Sequence, residues 1–156
     1  MAKLYIVATP IGNLGDISLR AIKVLKEVDL ILAEDTRTTK ILLDKYKIKT
    51  PLTSYHQYTR IGKINQIVSL LKSGKNLALV SEAGTPGISD PGNKLINQLT
   101  NQLINLKIIP IPGPNAAICA LSISGFPSDK FFFLGFLPKK KGRKKSIENL
   151  KFIIEN

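Results

Sequence analysis

Short apolar runs alternate along the chain with longer segments in which apolar residues recur every three or four positions. The runs at residues 3–9, 30–33, 77–80 and 106–111 are rich in Ile, Leu and Val, and polar or turn-forming residues bound them, so they predict buried strands. A weaker run at 52–55 predicts one more. Between the first two, Leu19, Ile22, Leu25 and Val28 share a helical face opposite Arg20, Lys23, Lys26 and Glu27, with Asp16 or Ser18 as cap. Residues 41–46 predict a second helix; Ile64, Ile67, Val68 and Leu71 mark a third, and Leu95, Ile96, Leu99 and Leu103 a fourth. Pro114 fits a first helical turn, and Ala116, Ala117, Cys119 and Ala120 let that helix approach a sheet or a ligand closely. Strands alternating with helices over short connections predict the α/β class, a mostly parallel five-stranded sheet with helices on both faces. Residues 1–113 form this domain, and residues 114–156 hold a linker helix and the start of a second α/β domain.

The polar residues gather where strands end. The run 77–80 empties into Ser81-Glu82-Ala83-Gly84-Thr85-Pro86-Gly87-Ile88-Ser89-Asp90-Pro91-Gly92, with Asp90 as helix cap and Pro91 in the first turn. Strand, glycine loop and helix start are expected to expose backbone donors at the carboxyl end of a sheet, where open α/β folds bind ligands; a rigid turn without a ligand is the alternative. Pro10-Ile11-Gly12-Asn13-Leu14-Gly15 ends the first strand and lacks the dinucleotide fingerprint, and Gly74-Lys75 lacks the rest of a P-loop. Glu34, Asp35 and Arg37 end the second strand, where they either cap a helix or face a substrate. His56 is the only histidine, and a lone one with no ligand partners is more often structural than catalytic.

Charge sharpens this picture. Lys+Arg outnumber Asp+Glu by 23 to 11, a net +12 that favours polyanionic partners, although a general Lys-rich bias gives the same total. Clusters are more telling, and Lys139, Lys140, Lys141, Arg143, Lys144 and Lys145 form one, read either as a solvated face or as a phosphate contact. Before it, the aromatic segment at 130–137 predicts a strand that must pair with a sheet. The single cysteine, Cys119, excludes an intrachain disulfide and a cysteine-based metal site. No apolar run approaches a membrane span, and a cytoplasmic setting is the default expectation.

Five stretches together carry a resemblance: Ala8-Thr9-Pro10-Ile11-Gly12-Asn13-Leu14, Ala33-Glu34-Asp35-Thr36-Arg37, the loop from Ser81 to Gly92, Pro112-Gly113-Pro114, and Phe133-Leu134-Gly135-Phe136-Leu137-Pro138 before the basic run. Their order resembles that of the tetrapyrrole-methylase superfamily of S-adenosylmethionine-dependent methyltransferases, in particular its branch that methylates a cytidine 2′-hydroxyl in small-subunit ribosomal RNA. The resemblance implies that S-adenosyl-L-methionine is held by Pro10, Gly12, Glu82, Gly84, Thr85, Pro86, Gly87, Ser89, Asp90, Pro112, Gly113 and Pro114. A 2′-hydroxyl is weakly acidic, so a proton acceptor is expected near it, Asp35 first with His56 and Glu82 behind it, and no metal is expected. Lys139, Lys140, Lys141, Arg143, Lys144 and Lys145 would hold phosphates of the ribosomal RNA or 30S particle, and a homodimer is usual in the family. The family commonly has Asp where this chain has Glu82, and a second α/β domain that this chain enters and does not complete. Two rival readings follow: a non-catalytic RNA- or ribosome-binding remnant, and a tetrapyrrole methyltransferase.

Overall fold

The computed structural model describes residues 2–56, 59–90, 92–103, 105–138 and 142–155, and the chain divides into two compact units, Met1–Phe126 and Pro127–Asn156. In the first unit the strands β1 (Lys3–Val7), β2 (Leu30–Ala33), β3 (Leu52–Ser54), β4 (Leu77–Val80) and β5 (Lys107–Ile111) form one sheet in the order β3-β2-β4-β1-β5. Every pairing is parallel. The helices are α1 (Leu19–Glu27), α2 (Thr36–Lys45), α3 (Ile61–Lys72), α4 (Gly92–Gln102) and α5 (Ala116–Ile123).

The central strands read as unbroken apolar runs because both of their faces are buried. Alternate residues serve opposite sides: Leu4, Ile6, Leu77 and Leu79 pack with Ile64, Ile67, Leu71, Leu95 and Leu99 of α3 and α4. Val7, Ile31, Ala78 and Val80 pack with Ala21, Val24, Leu25, Leu42 and Leu43 of α1 and α2. Each fully buried Leu, Ile or Val stabilises the fold by about 1.5–3 kcal/mol, so the two layers together hold the sheet rigid. Pro110 is tolerated in β5 because that strand is an edge.

This arrangement fixes where a ligand can bind. β1 and β4 are neighbours, yet the chain leaves β1 for the α1/α2 face and leaves β4 for the α3/α4 face. Their carboxyl ends are thus a topological switch point, where helices diverge and leave a crevice.

Local capping matches the expected pattern at α1 and differs from it at α2 and α5. Ser18 accepts from the Ala21 N–H at 3.1 Å and caps α1, as one of the two expected options. α2 begins earlier than expected, at Thr36, because Asp35 caps it. Asn115 caps α5 through the Ile118 N–H at 3.1 Å, so Pro114 lies just before the helix rather than in its first turn.

The second unit contains helix α6 (Arg143–Glu155), which starts before the expected Ser146. Residues 130–137 form no strand, contrary to the expectation from their composition; Phe132 and Phe136 are exposed. A strand exists only through hydrogen bonds to a neighbour, and none is paired with this segment among the described residues.

Candidate functional site

Three loops meet at the carboxyl edge. Thr9, just past β1, and Gly84, past β4, form an antiparallel bridge in which the Thr9 N–H donates to the Gly84 carbonyl at 2.9 Å and the Gly84 N–H to the Thr9 carbonyl at 3.0 Å. The Thr85 hydroxyl donates to the Pro114 carbonyl at 3.1 Å, which ties in the loop after β5. Gly113 lies so close to β1 that a Cβ on it would stand 2.9 Å from the Ala8 Cβ. Ala8 lies against Gly113 and Thr85 against Pro114, both in or beside the loop after β5, whereas Pro10 and Ala83 line a cavity with residues of α2.

The expected cofactor residues thus fall into three groups around the bridge. Pro10, Gly12 and Glu82 line a cavity of about 410 Å³ together with Ile11, Leu14, Thr38, Ile41 and Ala83. Thr85, Pro114 and Gly113 gather on the β5 side. Pro86 and Asp90 border a third space with Glu34, Tyr55 and Ser81, only about 10 Å³, room for about one water. Ser89 is exposed in a left-handed conformation with φ 59°.

The expectation of free backbone donors in the central loop is corrected at three glycines. The amides of Gly87 and Gly92 both donate to Asp90 Oδ1, at 2.5 and 2.8 Å, and that of Gly84 is held by Thr9. The side chain of Asp90 occupies the place in which an anion would sit. Asn93 Nδ2 donates to the Gly87 carbonyl at 2.7 Å and closes the turn. Gly92 is required for a packing reason, since a Cβ there would lie 2.9 Å from the Gly87 nitrogen.

The two neighbouring acids past β2 are in unlike settings. Asp35 Oδ1 accepts the Arg37 N–H at 2.7 Å, and Asp35 Oδ2 accepts Arg37 Nη2 at 2.7 Å. The Arg37 side chain, followed by the Arg37 amide, draws the Asp35 pKa down to about 2, which makes it a weak base. Glu34 titrates higher than usual, first because it is partly buried and then because Glu82 and Asp90 repel its charge; His56 acts in the opposite sense. Sequence reasoning gave Glu34 no role of its own, and the only signal for one was its position as the first polar residue after the apolar run of β2.

His56 is exposed, its backbone N–H donates to Thr59 Oγ1 at 2.8 Å, and it acts on Glu34 by charge. Gln57, Tyr58, Lys139, Lys140 and Lys141 lie outside the described residues, while Arg143, Lys144 and Lys145 are exposed in the first turn of α6. Among the described residues no group of three or more His, Cys, Asp or Glu could hold a metal ion, and no helix is long and apolar enough to cross a membrane. A second cavity, of about 420 Å³, lies at the opposite end of the sheet near Ala2, Leu71 and Leu106, with Lys72 the one ionisable side chain among its described lining residues.

Comparison with known proteins identifies the family and the fold. The family Tetrapyrrole (Corrin/Porphyrin) Methylases matches residues 3–155. A protein of Thermotoga maritima named Ribosomal RNA small subunit methyltransferase I is 52% identical over 151 residues, covering 97% of this chain and 67% of its own length. A protein of Bacillus subtilis with the same name is also 52% identical, over 97% of this chain and 51% of its own length. The chain thus spans between about half and two thirds of these relatives. Among solved structures, uroporphyrin-III-C-methyltransferase from Thermus thermophilus aligns with a TM-score of 0.59 at 21% identity, over 80% of this chain and 53% of that one. A putative cobalamin synthesis related protein from Corynebacterium diphtheriae aligns with a TM-score of 0.60 at 19% identity, over 83% and 60%. These two likenesses establish the fold.

Proposed function

Because the chain belongs to the tetrapyrrole methylase family, we propose that it takes part in S-adenosylmethionine-dependent methylation of a ribose 2′-hydroxyl, that of a cytidine, in small-subunit ribosomal RNA. The observation that carries this reading is the knot of three loops at the switch point, joined by the Thr9–Gly84 bridge and the Thr85–Pro114 hydrogen bond. All three belong to the stretches in which the chain resembles the family. The 52% identity to two proteins named for ribosomal RNA favours RNA over a tetrapyrrole as substrate. As in the sequence reading, residues 1–113 are taken as the methylase domain and residues 114–156 as the start of the second, with a homodimer as the working assembly.

The residues fit such a cofactor by charge. After partial burial, the charges of Glu82 and Asp90 raise the Glu34 pKa, and the three acids concentrate negative potential in a chain of net +12. At long range this potential steers a donor that carries both a sulfonium and an ammonium toward this edge of the sheet. Bound S-adenosylmethionine supplies an electrophilic methyl whose transfer leaves a neutral thioether. The chain's own residues align the partners and exclude water. Pro112, Gly113 and Pro114 offer a rigid wall with the Thr85 hydroxyl against it, and Ser89 and Asp90 offer polar side chains farther along the central loop.

The 2′-hydroxyl proton goes to a carboxylate or imidazole as the new C–O bond forms. Glu34, with its raised pKa, and His56 suit this better than Asp35, which is held by Arg37. Asp35 then acts by orienting Arg37. Calorimetry of the 156-residue chain with S-adenosylmethionine tests the reading: saturable heat is expected, and its absence would leave an RNA-binding protein without a cofactor. Transfer of labelled methyl to undermethylated small-subunit particles and not to a porphyrinogen is the second expected result, and the reverse preference would move the protein to the tetrapyrrole branch.

A further inference from the structure

The cavity of about 410 Å³ is built differently from the loop knot beside it. Its volume is within the range of about 300–1,000 Å³ typical of small-molecule pockets. Ile11, Leu14, Ile41 and Ala83 supply apolar walls, and Ile41 is 62% exposed although it is a large aliphatic residue on a helix. Thr38 and Glu82 supply polar groups at the same cavity. Gly12, with φ 145° and nothing within 4 Å of where a Cβ would be, leaves one wall open. Arg37 is exposed nearby, its pKa raised first by Asp35 and in smaller part by Glu82.

We propose that this cavity receives the base of the acceptor nucleotide, so that Pro10, Gly12 and Glu82 serve the RNA rather than the cofactor. The inference rests on the RNA-methylation reading and adds to it a place for the substrate. Chemistry on one nucleotide requires that it be drawn out of its stack, and its unstacked base then needs an apolar slot with a polar end. Apolar walls accept the ring faces, and the Glu82 carboxylate accepts N–H bonds from an exocyclic amine, which uracil does not have. The exposed Arg37 guanidinium is free on its outer side to meet the adjoining phosphate. The cofactor remains on the β5 side of the bridge, where Thr85 and Pro114 meet.

Backbone amide NMR of the full chain decides between these sites. Cytidine 5′-monophosphate is expected to move the resonances of Thr38, Ile41 and Ala83, with those of Gly113 and Asn115 unmoved; S-adenosylhomocysteine is expected to do the opposite. Ala83→Phe fills the cavity and is expected to weaken cytidine monophosphate at least tenfold with S-adenosylhomocysteine unaffected. Glu82→Gln, a milder change, is expected to remove the preference for cytidine over uridine monophosphate. Shifts of Thr38, Ile41 and Ala83 by S-adenosylhomocysteine, or none by cytidine monophosphate, would overturn the assignment. If S-adenosylhomocysteine moves no resonance while the nucleotide behaves as expected, the cofactor reading fails and the nucleotide pocket stands.

Discussion

Glu34 stands at the end of the fully buried part of β2, where partial burial and the charges of Glu82 and Asp90 raise its pKa, while one residue on Asp35 is drawn down to about 2 by Arg37. The two acids consequently affect stability in opposite senses. A raised carboxylate pKa costs the native state nothing below the ordinary 4.5, and the cost grows as pH rises through the native value. Glu34→Gln should therefore melt at a higher temperature than the wild type near neutral pH, with the difference disappearing at about pH 4. For Asp35 the contribution is present above the ordinary 3.8 and is lost as pH falls toward about 2. In the proposed reaction Glu34→Gln should lower methyl transfer by roughly 10²–10⁴-fold with cofactor binding retained. Asp35→Asn should change it far less, because Asn still caps α2. Equal losses in both variants would return the base to Asp35. The sequence alone left Glu34 and Asp35 between capping and chemistry, since the choice depends on where Arg37 points, and residue spacing does not carry that information.

At the scale of elements, two glycines in the loop knot are needed by the fold itself. Gly113→Ala would drive a methyl into Ala8 at 2.9 Å, and Gly92→Ala would drive one against the Gly87 backbone nitrogen at 2.9 Å. Each should cost about 1–3 kcal/mol by overpacking. Gly62, in α3 with nothing within 4 Å of a Cβ, should behave in the opposite way, with Ala there gaining up to about 1 kcal/mol. Urea melts of the three variants check the signs, and a destabilised Gly62→Ala would show that free space is the wrong criterion. The strands β1, β2 and β4 were legible because two buried faces leave an unbroken apolar run. The start of α2 was hidden by Thr36, Thr38 and Thr39, poor helix formers made acceptable by the Asp35 cap and by the Thr39 hydroxyl, which donates to the Asp35 carbonyl at 2.9 Å. The central loop was legible as a glycine turn, but glycine spacing reports conformational freedom, not where an N–H points. Only the coordinates reveal that Asp90 takes the amides of Gly87 and Gly92. The aromatic composition of residues 130–137 pointed to a strand for a related reason: propensity describes a residue, whereas a strand requires a partner.

At the scale of the whole molecule, a net +12 does not by itself distinguish a specific RNA contact from a general excess of lysine, but two clusters of equal charge allow the distinction to be measured. Arg143, Lys144 and Lys145 crowd the first turn of α6, where the helix dipole already presents positive charge and cations are unfavourable. Such an arrangement is relieved by an anion, so it suits a phosphate better than plain solvent. Arg20, Lys23 and Lys26 are also exposed, but they lie along α1, and Lys23 is within 3.9 Å of the Glu27 carboxylate. Replacing either set of three by Ser changes the net charge by the same amount. If total charge drives RNA binding, both triple variants lose affinity equally and the salt dependence falls alike. If the α6 cluster contacts phosphates, only its loss should reduce the slope of log affinity against log salt, by about 2 at roughly 0.7 per contact on single-stranded RNA. Titrations of fluorescent small-subunit RNA fragments over a range of salt concentrations separate the two outcomes, and an unchanged slope in the α6 variant would reduce that cluster to a solvated surface.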